Sequence, residues 1–538
     1  IGDGFEAKNI RIRIQGTSSV KYPYKNIRFY LATAYDEHYP MELYIGGVNV
    51  TTDKKKGYPL RGSSKSIGQA VLCAKTDFVD SSLTLNTGGA HLFHDTMNAL
   101  SLRTPPQEYD PRVRQAIDGI PCDVYAATSE TGKLTYYGQF VLNNEKSKSG
   151  KIFGMDGVSG FEPSCPISFE ALVNNSPITL FQPAGRANSQ ELEDQLEAEF
   201  DNGFEFNFPE DVWYSRARAI AEMKEDFTEE NVATTDQHDA IHALFGWIYE
   251  CMEDAKGVKD GTMTIAEPDY GDRNGWSDES KAKWVSQKFK DEASRHFNVN
   301  HLLTYYLFTD YWASVDQRAK NILWRTWDGE IWYATYYDGD TAQSIRNDAF
   351  MVYLYDVTRD TYDQERSKYA FEGHNSWLWC LVLANFETEL KGCADTLRGQ
   401  LSTAGMLNEF NGVMMGNWSE RQYNASGKLK YIDTISRMNY VYTLTGTREL
   451  HRTQFITDRN KLLDARYGAG NYGDDVMNFT VVRNEADRVS SMTIVSNDLY
   501  YFGYKLNNRW LQGPTICKAD ESLDLTFEGT LATNDPLM

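Results

Sequence analysis

Four oxygen-bearing side chains fall at a spacing that suits phosphoryl transfer. Asp316 and Asn321 sit five residues apart, just past a long apolar-rich segment, and Asp338 and Asp340 follow two short alternating runs. In kinase-like sites one Asp orients the acceptor hydroxyl and an Asn five residues on binds a metal ion. A second Asp, after a short hairpin, binds the metal that bridges the phosphates. Mg2+ requires oxygen ligands and usually takes only one or two carboxylates plus phosphate oxygens, so the set is chemically sufficient. Asp and Asn also cap helices and make Asx-turns. Without chemistry, Asp316 would cap a helix end and Asp338-Gly339-Asp340 would be a plain turn.

The elements that must position these residues can be read from periodicity. HFNVNHLLTYYLFTDYWASVD (296–316) has apolar and aromatic residues at 302, 305, 306, 308, 311 and 312, which predicts a helix. Two strands follow, 322–327 and 330–337, joined by Asp328-Gly329, a good hairpin signal. Near the start, Lys8 to Gln15 alternates, with Ile10, Ile12 and Ile14 on one face and Arg11 and Arg13 on the other. Residues 26–31 alternate similarly through Ile27, Phe29 and Leu31. Between them, Gly16-Thr17-Ser18-Ser19 is either an ordinary hairpin turn or a loop that holds phosphates.

Further strands are expected at 41–46, 69–74, 122–127 and 135–142, with a helix over 88–102. From 147 the chain turns rich in Gly, Ser and Pro, and helices are expected at 189–200, 209–226, 235–256 and 278–292. DYGDRNGWSDES (269–280) reads as a solvated acidic turn, because Tyr270, Arg273 and Trp276 break the register of a calcium loop. Helices should dominate 375–415 and 445–466, and strand patterns return after 472. The expected fold class is α+β: a β-rich unit at 1–146, a mostly helical insertion at 147–299, a helical unit at 300–466 and a β module at 472–538.

Bulk properties narrow the function classes. A chain of 538 residues is too long for one core, so two to four domains are expected. A net charge of −22 repels nucleic-acid phosphates and anionic membranes. No segment approaches the roughly 20 apolar residues of a membrane span. The opening residues carry no secretory signal and do not start with Met, as expected of a processed or excised piece. The seven cysteines are scattered without a CxxC pair and read as reduced, packed thiols. The 33 Tyr and 12 Trp suit a large aromatic core, interface anchors or sugar-stacking surfaces. A glycosidase ranks last, since no familiar carboxylate arrangement is present.

Four blocks together resemble the spore-coat CotH-type family of atypical protein kinases. QGTSSVKYPYKNIRFYL (15–31) is similar to its opening turn, Pro, Lys and strand. AVLCAKTDFVDSSLTLNTG (70–88) looks like its apolar strand with an Asp and a Ser before a helix. YYGQFVLNNEK (136–146) is similar to its Gly–aromatic–apolar–Glu strand, and ASVDQRAKN with YYDGD resembles its catalytic elements. The matches run in the family's order over about 1–146 and 300–342.

The resemblance implies a kinase-type core with a mixed β N-lobe and a helical C-lobe. Gly16, Thr17, Ser18 and Ser19 would face phosphates, and Lys25 or Lys75 would pair with the α/β-phosphates. Glu145 would sit on the strand leading out of the small lobe. Asp316 would be the base, Asn321 and Asp338 metal ligands, and Asp340 a supporting carboxylate. The cofactors would be Mg2+ and ATP. Three positions depart from the family: Tyr337 replaces a Trp, Gly339 replaces an apolar residue, and Gln15 stands where Arg is commoner.

The wording QGTSS-x-x-YP-x-KN with DSS-x-x-x-NTG also resembles virion proteins of phages infecting gut Bacteroidota. That implies a tail-associated structural protein built on a CotH-like domain. Its partners would be other virion subunits, itself or a host surface, with no nucleic acid and no membrane span. The sequence reading favours this virion role, in a phage particle or alternatively at a bacterial cell surface. An active ATP/Mg2+-dependent protein Ser/Thr kinase is the runner-up.

Overall fold

In a computed structural model the chain is an α+β protein. The structure describes residues 5–15, 25–34, 38, 40–45, 47–50, 57–76, 85–129, 132–146, 150–171, 204–209, 234–265, 268–269, 277–314, 316–318, 321–339, 342, 376–403, 405–406, 409, 446–470, 477–483, 489–496, 500–506, 509–517 and 522–526. The 16–19 turn, Asp340, the expected helices at 189–200 and 209–226, and most of the 269–280 acidic turn lie outside them.

Among the described residues, a small antiparallel sheet joins β1 (Phe5–Lys8), β4 (Glu42–Ile45) and β5 (Val48–Asn49). A five-stranded antiparallel sheet runs in the order β2-β3-β6-β8-β7: β2 (Ile10–Gln15), β3 (Asn26–Ala34), β6 (Val71–Lys75), β8 (Thr135–Asn144) and β7 (Gly119–Ala126). The register pairs Gln15 with Asn26, so the strands on either side of the 16–24 connection lie antiparallel. Strand β6, VLCAK, is buried at every position, as a central strand must be. Leu31 and Leu72 of the large sheet pack on Leu43 of the small one and on Leu60. The isoleucine alternation of β2 is realised, but its face is turned outward: Ile12 is 55% and Ile14 63% exposed.

Helix α1 (Leu85–Ala99) follows the central strand. Its Phe93 ring meets Tyr305 at 5.4 Å, Phe308 at 5.2 Å and Tyr336 at 6.0 Å between centroids. These contacts lock the five-stranded sheet's helix onto the rest of the core. The large core is built from α2 (Thr235–Asp254), α3 (Gln287–His296), α4 (Val299–Tyr311), α5 (Trp377–Asn385), α6 (Glu387–Gln400) and α7 (Gly446–Tyr467). Helix α4 is buried from His301 through Tyr311, and Asn298 caps it by accepting from the His301 N–H at 3.1 Å.

Three expectations are corrected. Helix α4 stops at Tyr311 rather than continuing to 316. Ala313 takes a left-handed φ of 50°, and the chain re-forms as a 3-10 turn at Asp316–Arg318. The hairpin of β11 (Ile322–Thr326) and β12 (Tyr333–Tyr336) exists, but its connection is longer than Asp-Gly alone: Arg325 pairs with Tyr333. Asp328 Oδ1 accepts from the Glu330 and Ile331 N–H groups, both at 2.9 Å, and Gly329 supplies φ 82°.

Residues 147–299, read as mostly helical, also contribute β9 (Ile167–Ala171) and β10 (Phe204–Phe208). These complete a four-stranded sheet, β10-β9-β11-β12, with the hairpin. Strand β9, ISFEA, is short and was masked in sequence by the Pro- and Gly-rich run before it. At the C-terminal end, β13 (Met477–Arg483), β14 (Val489–Ser496) and β17 (Ser522–Thr526) form one sheet, and β15 (Tyr500–Leu506) pairs with β16 (Arg509–Cys517). No helix among the described residues is long and apolar enough to cross a membrane. Six cysteines, 73, 122, 165, 251, 380 and 393, are free thiols.

Candidate functional site

The last residue of central strand β6 meets the residues just past hairpin β11–β12. Lys75 Nζ forms an ion pair with Asp338 Oδ1, across 263 positions of sequence. The lysine side chain is 9% and the aspartate 28% exposed, so the pair is shielded but reachable. Lys75 also lies 5.1 Å from the centre of the Tyr337 ring. That ring is buried, and burial holds its phenol above the usual range and therefore neutral, against the opposing charge of Lys75. Of the two lysines open in the sequence, Lys75 makes the contact with the hairpin Asp. Lys25 lies just before β3, half-buried.

Asp338 sits at φ 55°, which places it in the left-handed region, where Asp is among the tolerated types. Its carbonyl is held by Gln317 and Asn321. Gln317 Nε2–H donates to Asp338 O at 2.8 Å and to Tyr337 O at 3.1 Å, and Asn321 Nδ2–H donates to Asp338 O at 3.4 Å. Asn321 and Asp338 are thus neighbours. The backbone of Asp316 begins the same 3-10 turn, and its side chain and Asp340 lie outside the described residues.

The turn is anchored from below. Tyr305 O–H donates to Gln317 O at 2.6 Å, and Trp379 Nε1–H donates to Arg318 O at 2.7 Å. The Arg318 side chain pairs with Asp310 at 3.6 Å, which also takes Arg459 at 2.6 Å and accepts from the Tyr467 hydroxyl at 2.6 Å. A buried carboxylate with several charged and neutral donors is satisfied and rigid.

On the side of α1, Asn86 Oδ1 accepts from the Gly339 N–H at 3.3 Å. A Cβ at Gly339 would fall 2.1 Å from the Tyr336 hydroxyl, which itself bonds Ser314 Oγ at 2.9 Å. This explains the glycine where the resembled family has an apolar side chain: the chain passes too close to Tyr336 to carry one.

Glu145 follows the end of β8, fully buried, and pairs with Arg28 of β3 at 2.7 Å. Cys73 lies beside them; burial, then the Glu145 charge, pushes its thiol up to about 12, so it is no nucleophile. The next residue, Lys146, pairs with Glu170 of β9 and lies 5.3 Å from the same Tyr337 ring centre. The sequence reading missed Gln317, Asn86, Lys146, Glu170 and the Asp310–Arg459 pair. Gln317 and Lys146 are adjacent in sequence to singled-out residues; the others carry no local signal.

The described residues hold no group of three or more His, Cys, Asp or Glu that would bind a metal ion alone. One carboxylate with the Asn321 side chain beside it matches what Mg2+ takes when phosphate oxygens complete its shell. The arrangement can therefore hold a cation–phosphate unit between Asp338, Asn321 and Lys75. Neither a scan of protein-family models nor a search of curated proteins finds a match to this chain.

Proposed function

We propose that this chain is a Mg2+- and ATP-dependent phosphotransferase of the CotH type, acting on a Ser or Thr hydroxyl of a protein. The observation that carries the reading is the Lys75–Asp338 pair with Asn321 at the Asp338 backbone. In kinase sites the phosphate-pairing Lys stands on the third strand of the N-terminal sheet, and the metal is held by an Asp after a hairpin and an Asn of the catalytic loop. Lys75 ends the third strand of a five-stranded sheet whose first two strands, β2 and β3, pair antiparallel.

In this reading Gly16, Thr17, Ser18 and Ser19 cover the phosphates and Lys75 takes the α/β-phosphates. Asn321, Asp338 and Asp340 serve the metal, and Asp316 orients the acceptor hydroxyl. Glu145 supports the strand through Arg28. Bound Mg-ATP would supply the transferable phosphoryl group and neutralise its charge.

Calorimetry with Mg-ATP tests this on the wild type and Asp338→Ala. The wild type should bind and the variant should lose at least about tenfold in affinity, the scale of one lost charged contact. Equal affinity in both would sink the assignment.

A second reading, a tail-associated virion subunit built on this domain, is favoured by one observation. Ile12 and Ile14 are outward-facing on strand β2, and Leu134 (65%) and Tyr125 (52%) are exposed on the β7–β8 hairpin. Exposed apolar side chains on edge strand β2 suit contact with a neighbouring chain.

A further inference from the structure

Two lysines, not one, converge on the Tyr337 ring. Lys75 and Lys146 place their ammonium groups 5.1 and 5.3 Å from its centroid, and Tyr337 directly precedes Asp338. Each ammonium is parked on a carboxylate: Lys75 on Asp338, Lys146 on Glu170. Lys146 is 19% and Glu170 10% exposed, so this second pair is shielded to nearly the same degree as the first.

The base of Lys146 is fixed. The buried Gln69 side chain brackets the preceding residue, donating Nε2–H to Glu145 O at 2.8 Å and accepting the Glu145 N–H at 3.2 Å. Arg28 holds the Glu145 carboxylate. A lysine on a clamped backbone loses little further freedom when it meets a ligand. The Tyr337 face steadies its ammonium by cation–π attraction without consuming a hydrogen bond.

Electrostatics call for such a group. The chain carries a net charge of −22, and a polyphosphate must enter against that field. With the Asp338 carboxylate given over to a divalent cation, Lys75 would be released to pair with a phosphate oxygen. A single lysine would then face the whole polyanion.

We propose that Lys146 is a second phosphate-binding residue of the site, held ready by Glu170 and transferred to a phosphate oxygen of the nucleotide when it binds. This inference rests on the phosphotransfer reading above and gives a ligand-binding role to a lysine to which that reading assigns none. No bond is made or broken by the exchange; both ion pairs stay charged and only their partners change.

The test uses the whole chain and two readouts. Calorimetry compares Mg-ATP binding by the wild type and Lys146→Met, with the fold of the variant checked by its thermal melt. In parallel, acetylation of Lys146 in the wild type is followed by mass spectrometry with Mg-ATP, Mg-tripolyphosphate or adenosine present. The expected result is an affinity loss of about tenfold or more in the variant, the scale of one charge-assisted phosphate contact. Lys146 should be protected by Mg-ATP and tripolyphosphate but not by adenosine.

A folded variant that binds Mg-ATP as the wild type does, with unprotected Lys146, overturns the inference and leaves the Asp338 site standing. Protection by adenosine alone also overturns it, because the lysine would then face the base. No binding of Mg-ATP by the wild type overturns the inference and the phosphotransfer reading together. If the variant does not fold, the acetylation pattern of the wild type decides.

Discussion

His91 shows how one residue of α1 can set a pH dependence. Its Nε2 faces Asp118 Oδ1 at 2.8 Å and its Nδ1 faces Glu409 Oε1 at 2.9 Å. A neutral imidazole has one N–H, so a ring between two carboxylates is doubly protonated. Burial alone would lower its pKa, but the hydrogen bonds to Asp118 and Glu409 outweigh it and raise it from 6.5 to about 9. Arg114 shares Asp118 at 3.3 Å, and Arg61 opposes the charge. The folded value exceeds the unfolded one, so this contribution is complete below pH 6.5 and is lost as pH rises through 9. It amounts to at most about 3 kcal/mol. The melting temperature should therefore fall between pH 7 and 9.5 in the wild type and fall much less in His91→Gln. Parallel curves for the two proteins would refute the assignment.

At the scale of elements, helices α4 and α7 act as a unit that fixes the loop carrying Asp316 and Asn321. Asp310, Arg318 and Arg459 have side chains at 0% exposure, and both arginines pair with Asp310. Removing one partner leaves buried guanidinium charge uncompensated, which costs about 3–5 kcal/mol, whereas the intact group adds far less than that to stability. Asp310→Ala should thus lower the urea midpoint strongly. A loss under about 1 kcal/mol would mean that the aromatic packing of α4, not this network, holds the loop. The β11–β12 hairpin is fixed differently, by close approach: a Cβ at Gly89 of α1 would lie 2.7 Å from the Tyr336 hydroxyl, the same atom that excludes one at Gly339. Helix, hairpin and site are thereby in register through a single tyrosine.

For the whole molecule, the site lies where the five-stranded sheet and the hairpin sheet meet, and their junction is made by backbone as well as side chains. Ile117 N–H donates to Tyr336 O at 3.2 Å, one position from Tyr337. The outer edge of the large sheet bears on assembly. If the chain works as a particle subunit through strand β2, light scattering should show association that Ile12→Glu with Ile14→Glu abolishes. Both positions are more than half exposed, so the substitutions should leave the monomer's melt within about 0.5 kcal/mol of the parent. A wild type that stays monomeric at high concentration would remove the support for that role.

The sequence by itself determined the local elements wherever a period was clean. Strands β2, β3, β6, β7 and β8, helix α4 and the β11–β12 hairpin were all legible, because alternation and helical spacing are local properties of the chain. The α4 end was not, since a left-handed Ala313 follows from packing rather than from its own preference. Nor were β9, which pairs with β11 more than 100 residues away, and β10, which pairs with β9; such pairings leave no short-range pattern. At the site, residue types at the right spacing singled out Asn321 and Asp338, and the family resemblance offered Lys25 or Lys75. Only the tertiary structure brought Lys75 onto Asp338 and put Lys146 on the same ring. Ion pairs between distant strands are decided by which strand ends meet, and that is settled by the burial of the whole core, not by the neighbours of any one residue.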